Sequence, residues 1–255
     1  MTLLFQNVSK KYDSRIALQN VSFEVHEGEI VSLLGPNGSG KTTAMKIATG
    51  LLRPDEGDIL IYNHSIIREP IEAKKYIGYV PETPLLYDTL TGMEYLELVL
   101  SLWGYRISDK IDEIENLSRI LDLEQDLNIL TSAYSAGMKR KVSIIAALVH
   151  DPKVIIMDEV TANLDPKGIA SVIKLLEGLK KLRCAILVST HILEIAEELS
   201  DRTIILRYGE KIWEGETRKF REEAQQEKGL EDLFFELTGG PEIESIREYL
   251  RRKSS

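Results

Sequence analysis

The stretch Gly35-Pro36-Asn37-Gly38-Ser39-Gly40-Lys41-Thr42 constrains this chain more than any other. It follows the apolar run Ile30-Val31-Ser32-Leu33-Leu34 and precedes the helix-like Ala44-Met45-Lys46-Ile47-Ala48. Its spacing is a glycine, four residues, then Gly-Lys-Thr, at the point where a strand hands over to a helix. Glycines let backbone N–H groups turn inward and approach an anion closely, and the positive end of the following helix faces the same point. The physical reading is a phosphate cradle. Lys41 would neutralise β- and γ-phosphates, and the Thr42 hydroxyl would hold Mg²⁺. A glycine-rich turn without a ligand is the alternative, and the flanking strand and helix weigh against it.

A chain of 255 residues with 43% hydrophobic and 7% aromatic residues is able to bury a sizeable core, as one large α/β domain or one with a helical insert. The net charge of −9 argues against a broad electrostatic footprint for nucleic acid. The single cysteine, Cys184, beside the apolar run Ala185-Ile186-Leu187-Val188, excludes an intrachain disulfide and reads as a buried small hydrophobe in a reducing compartment. No signal peptide is expected, since Met1-Thr2-Leu3-Leu4-Phe5 runs straight into Gln6-Asn7. Apolar stretches such as residues 144–149 fall far short of the roughly twenty that a bilayer needs. Work at a membrane would therefore require a second chain to do the spanning.

Alternation predicts strands over residues 3–8, 18–25, 30–34, 58–62 and 77–80, with Lys10-Lys11-Tyr12-Asp13 between the first two. Tyr12 reads either as an edge aromatic or as a face for stacking on a base. From about residue 91 to 150 the spacing turns helical, with helices over 93–103, 107–123 and 137–150, which predicts a helical insert. The apolar strand 154–158 follows, ending on Asp158. Helix 167–181, strand 185–189, helix 193–199 and strand 203–206 continue the rhythm. The charged stretch 218–228 reads as a solvated helix face. Short helices over 230–237 and 242–250 and the basic run Arg251-Arg252-Lys253 close the chain. The expected division is one domain over 1–240 and a C-terminal helix with a basic tail over 241–255.

Asp158-Glu159 is the second chemical signal. A carboxylate at the carboxyl end of a buried strand lies where ligands bind in open parallel sheets, and it suits Mg²⁺ held through water. Glu159 is then placed to act as general base toward a water in line with the γ-phosphate.

With these residues in order, the chain resembles the ATP-binding subunits of ABC transporters over essentially residues 1–240. Tyr12 falls at that family's adenine-stacking aromatic, and residues 35–43, ending on Thr43, and 154–159 match its Walker motifs. Tyr134-Ser135-Ala136-Gly137-Met138-Lys139 is similar to its signature sequence, and Asn163-Leu164-Asp165 to the loop that crosses its dimer interface. His191, alone more often a structural histidine, matches the switch histidine that touches the γ-phosphate. The resemblance implies a P-loop NTPase of α/β class with a mostly parallel core sheet, an N-terminal antiparallel β part and an inserted helical subdomain.

It also implies ATP and Mg²⁺, hydrolysis, and a head-to-tail dimer in which Ser135 and Gly137 close on ATP held by the partner. The dimer mate would be a second copy or a related subunit. The further partner would be a separate membrane-spanning permease subunit, with this chain peripheral on the cytoplasmic face of the membrane. Residues 81–87 and 229–238 look like bacterial exporter-type systems, particularly the Ecs-like branch, which favours export.

Three departures stand out. Ala136 and Met138 replace a glycine and a glutamine of the signature. Val160 and Ala162 replace residues that are more often a proline and a polar one. Glu82 replaces a glutamine that ligands Mg²⁺ and senses the membrane partner, which adds negative charge near the phosphates. Ala136 demands an ordinary φ. These departures motivate the alternative of a hydrolysis-impaired regulatory subunit. A soluble ABC-type ATPase acting on nucleic acid or the ribosome is a further alternative. Against it stand the acidic charge and the lack of a second cassette, a long coiled coil or zinc-binding cysteines.

Overall fold

Strands that are apolar at nearly every position cannot leave a face to water, so they assemble where both faces are covered. The computed structural model of the protein, which describes residues 2–13 and 15–219, has this arrangement at its centre. In chain order come β1 (Leu3–Tyr12), β2 (Arg15–Val25), β3 (Ile30–Leu34), α1 (Lys41–Ala48), β4 (Glu56–Ile61), β5 (His64–Ser65), α2 (Pro70–Lys74) and β6 (Ile77–Val80). Then follow α3 (Gly92–Leu102), α4 (Ile111–Ile120), α5 (Ala136–Leu148), β7 (Val154–Met157), α6 (Pro166–Lys181), β8 (Ala185–Thr190), α7 (Leu193–Leu199), β9 (Arg202–Arg207) and β10 (Glu210–Glu216).

One sheet has the order β10-β9-β3-β8-β7-β6, with every pair parallel except β10 with β9. Residues of β3, β7 and β8 are buried without exception. The second sheet, β2-β1-β4-β5, is antiparallel. Strand alternation divides the core between two sides. Val154 and Ile156 of β7 pack with α1 and the antiparallel sheet, where Phe5 and Phe23 stack at 4.1 Å. Ile155 and Met157 face the helical side with Leu96 and Leu100 of α3, Ile114 of α4 and Ile145 of α5.

Helices α3, α5 and α6 start where a side chain provides a cap. Thr91 and Glu94 form a reciprocal capping box at α3, Ser135 accepts from the Met138 N–H at α5, and Asp165 accepts from the Gly168 N–H at α6. Among the described residues no helix is long and apolar enough to cross a membrane.

Several boundaries differ from the sequence expectation. Lys10–Lys11–Tyr12 continue β1 rather than linking it to β2. The helix expected over 107–123 is a 3₁₀ turn at Ile107–Asp109, then α4, because the chain kinks at Lys110 (φ −132°) and stops at Asp122 with φ +55°. Strand β10 was not expected: its residues EKIWEGE carry little apolar pattern, and a two-residue turn with positive φ at both Tyr208 and Gly209 defines it. Strand β5 and α2 were not expected either. The helices expected over 230–237 and 242–250, the 229–238 resemblance, the basic run and most of 218–228 lie outside the described residues.

Just past α5, His150 is buried against Trp103, the rings stacked at 4.0 Å and 6°. Its Nε2 donates to the Ile77 carbonyl at 2.9 Å, which ties the helical side to β6. Burial holds its pKa below the ordinary 6.5, the carbonyl and Asp151 opposing that shift and Lys110 assisting it. The unfolded chain therefore takes up this proton at a higher pH than the folded one, so stability falls as pH drops through the ordinary histidine value. Denaturant unfolding between about pH 7 and 5 should show this loss, and His150→Gln should flatten the slope. An unchanged slope in the variant would assign the loss to other groups.

Candidate active site

The carboxyl ends of β3, β8 and β7 lie side by side, with Leu34 paired to Thr190 and Met157 to Val188. The segments that leave those ends therefore share one crevice, the place where open parallel sheets bind ligands. The loop 35–40 leaves β3 and feeds α1. Gly40, at φ +112°, is its hinge: a Cβ there would sit 2.4 Å from the Ala17 carbonyl oxygen. Lys41 is buried, and its Nζ donates to the carbonyls of Gly35 (2.8 Å) and Pro36 (3.3 Å). The first N–H groups of α1 have no partner within the helix, which suits an anion. Asn37, Gly38, Lys41, Thr42 and Thr43 line a cleft of about 410 Å³ together with Tyr12, Arg15, Glu82 and Glu159. Gly35, Pro36 and Ser39 build the loop beneath it, and the Ser39 hydroxyl is buried.

Below the loop lies the acidic pair. Asp158 is 1% exposed. Its Oδ1 accepts from the Ser189 hydroxyl at 2.6 Å, and the same hydroxyl accepts from the Glu159 N–H at 2.8 Å. The other carboxylate oxygen, Oδ2, is buried with no partner among the described residues. An anionic oxygen in that condition fits a bound cation, and a carboxylate and a hydroxyl such as that of Thr42 are the hard oxygen types that suit Mg²⁺. Glu159 holds its backbone at φ +50° and its carboxylate between two groups. Oε1 lies 3.6 Å from Lys41 Nζ, and Oε2 lies 2.9 Å from His191 Nδ1.

Ser135 and Gly137 are elsewhere. They line a second cleft, of about 430 Å³, with Ala136, Met138, Lys141 and Asn163 to Asp165. Gly137 is pressed so closely to the 163–165 loop that a Cβ would lie 2.9 Å from the Asn163 carbonyl oxygen. Ala136 is the first helical residue of α5 and is absent from the left-handed region, so the extra methyl is accommodated.

Three residues at the site escaped the sequence reading. Arg15 donates to the Gly38 carbonyl at 3.1 Å. Ser189 bridges the acidic pair. Arg140, with no exposed surface, reaches from α5 to the carbonyls of Asp158 and Glu159, both at 2.8 Å, and of Pro81. A serine closing an apolar strand was the only signal for Ser189, and Arg140, between Lys139 and Lys141, looks in sequence like part of a solvated basic run.

The profile of the ABC transporter family matches residues 18–162. The ABC-type transporter ATP-binding protein EcsA of Bacillus subtilis (strain 168) is 35% identical over 240 residues, covering 93% of this chain and 97% of that protein. The doxorubicin resistance ATP-binding protein DrrA of Mycobacterium tuberculosis is 35% identical over 226 residues, covering 88% of this chain and 68% of that one. Among solved structures, the ATP-binding cassette MJ0796, dimeric in a post-hydrolysis state with ADP and Pi, superposes with a TM-score of 0.77. It is 30% identical, covering 85% of this chain and 99% of that one.

The Ser189 bridge has a direct test. Ser189→Ala leaves the Glu159 N–H and a second Asp158 oxygen buried without partners, which should cost about 1–3 kcal/mol in denaturant unfolding. A cost near zero would mean that neither group depends on the hydroxyl.

Proposed function

Since this chain belongs to the ABC transporter family as an ATP-binding, ATP-hydrolysing subunit, we propose that Lys41, Glu159 and His191 form its hydrolytic centre within a head-to-tail dimer that drives a separate membrane-spanning chain. The observation that carries this reading is Glu159, whose carboxylate is held between the Lys41 ammonium and the His191 ring. A carboxylate so placed beside a phosphate-binding lysine can take the proton of a water attacking the γ-phosphorus as the bond to the β-phosphate oxygen breaks. Lys41 and the N–H groups of the loop stabilise the charge on the phosphate oxygens. In this reading His191, 2.9 Å from the Glu159 carboxylate, steadies it for the attacking water and would reach the γ-phosphate. Tyr12, at the rim of the cleft, stacks on adenine.

Thr42 and the unpartnered Asp158 oxygen are the residues that would hold Mg²⁺, with Glu82 on the cleft wall as the third oxygen ligand. The ion neutralises phosphate charge when bound.

Ser135 and the N–H groups around Gly137 open α5 onto their own cleft, apart from Lys41, which supports their use on ATP bound by a second subunit. The mate is a copy of this chain or a related one. The permease reading rests on a groove of about 290 Å³ lined by Tyr79, Pro81, Leu85, Tyr95 and Trp103, next to the Glu82 loop. Leu85 is 84% exposed there, an apolar side chain suited to a docked cytoplasmic helix. In this reading the chain sits on the cytoplasmic face of the membrane through that partner. Export is the direction favoured by the exporter-like residues 81–87 and by relatives such as the SkfA peptide export ATP-binding protein SkfE of Bacillus subtilis (strain 168).

Glu159→Gln should retain ATP, lose about 10²–10⁴-fold in phosphate release, and accumulate as an ATP-dependent dimer on size-exclusion chromatography. Turnover at the wild-type rate would remove Glu159 from the mechanism, and a wild-type protein without steady-state turnover would favour the regulatory alternative. Lys41→Ala should lose nucleotide affinity by calorimetry. Unchanged ATP binding would refute the phosphate-loop assignment.

A further inference from the structure

We propose that Arg140 is a positioning residue that ties the helix bearing Ser135 and Gly137 to the hydrolytic backbone of its own subunit, so that engagement of the partner's nucleotide sets the geometry around Glu159. This rests on the roles proposed above for Glu159 and Ser135. Arg140 lies five residues beyond the cap of α5, a little over one turn into the helix. It has no exposed surface, yet among the described residues no carboxylate lies within ion-pair distance of its guanidinium. Its partners are backbone carbonyls. Nη2 donates to Asp158 O and Glu159 O, each at 2.8 Å, and Nη1 donates to Pro81 O.

The choice of residue is informative. Burying a charge without a direct ion-pair partner is costly, and burial pulls the pKa of this guanidinium down to about 10, against the longer-range pull of Asp158 and Glu159. An apolar side chain would fill the space at a lower cost. What it could not do is bridge two segments, because only a rigid fork of donors meets carbonyls from both at once. The bridged segments are the end of β7 and the residue before Glu82.

The bridge falls on the peptide that matters for chemistry. Glu159 adopts φ +50°, a conformation that a non-glycine residue keeps only when its surroundings enforce it. The Ser189 hydroxyl holds its N–H and Arg140 holds its carbonyl. Together they fix the direction in which the carboxylate leaves the chain toward Lys41 and His191. The far end of the same rigid helix opens on the second cleft. A displacement of α5 when that cleft closes on a nucleotide is transmitted to the Glu159 and Pro81 peptides, and the coupling is reciprocal.

The test uses the full chain and three variants: Arg140→Gln, Arg140→Lys and Glu159→Gln. Steady-state phosphate release is measured against ATP concentration, ADP binding by calorimetry and folding by thermal melting. Wild-type turnover should rise cooperatively with ATP, and a non-cooperative wild type would count against the coupling. Arg140→Gln should bind ADP within about twofold of wild type, lose about tenfold or more in kcat, and lose that cooperativity. Arg140→Lys, which keeps the charge and reach but not the fork, should recover part of kcat. It also carries the test if the glutamine variant melts early.

Wild-type kcat and cooperativity in a folded Arg140 variant would overturn the proposal. So would a fall in ADP affinity parallel to that in kcat, which marks a general collapse of the site. Glu159→Gln separates the two layers. If it turns over normally, the assignment of Glu159 fails. If it is inactive while Arg140→Gln is fully active and cooperative, only the coupling role of Arg140 fails.

Discussion

Asp158 places a carboxylate with almost no exposed surface at the end of an otherwise apolar strand, and the surrounding structure is arranged to tolerate that charge. Strand β8 lies beside β7, and the register Met157↔Val188 brings Ser189 next to Asp158. The hydroxyl satisfies one oxygen and leaves the other bare. A buried charge compensated on one side only is expensive unless a cation completes it. The strand order brings cationic and oxygen groups to the same crevice: β3, on the far side of β8, delivers the loop that leads to the Lys41 ammonium and the Thr42 hydroxyl. The parallel sheet therefore positions an incomplete electrostatic site, which a nucleotide with its metal is suited to complete.

The helical part solves a different problem. Its apolar face packs against β7 through Ile145 and Val142, while its leading end, with Ser135 and Gly137, opens away from the phosphate loop. Two anion-friendly helix ends in one chain, α1 and α5, thus serve separate clefts. The close approach of Gly137 to Asn163 welds the second cleft to the segment that follows the acidic pair. Neither cleft is isolated from the other within the chain, because α5 and the 158–165 segment touch at both Arg140 and Gly137.

The parts of this arrangement legible in the sequence were those in which the chemistry is local. The phosphate loop, the apolar strand ending in Asp158-Glu159 and the Tyr134–Lys139 stretch at the start of α5 each occupy a few consecutive residues. Alternation and helical spacing recovered most strands and all three helices of the insert. What was not legible depends on partners far along the chain. Ser189 matters because it meets Asp158 thirty-one residues away, and Arg140 because it meets Pro81 fifty-nine residues away. On sequence, Arg140 is the middle of a Lys-Arg-Lys run and Ser189 the first of three polar residues that follow an apolar run, and neither stands out from its neighbours. Strand β10 escaped because hydrogen bonds to β9 define it, not an apolar face. The kink at Lys110 was hidden by an uninterrupted helical pattern.

Among the described residues the ammonium of Lys41 has three polar neighbours: the carbonyls of Gly35 and Pro36 and the Glu159 carboxylate. Arrival of a phosphate is therefore an exchange of partners and not the filling of an idle charge. The protein gives up interactions of its own for each one that it makes, so the net gain from this lysine is smaller than its charge suggests. The same trade runs backwards when the terminal phosphate departs: the loop's own carbonyls stand ready to reclaim the lysine. If Lys41 holds the terminal phosphate as proposed, a built-in competitor of this kind works against tight retention of spent nucleotide, as a machine that must reset after every turnover requires.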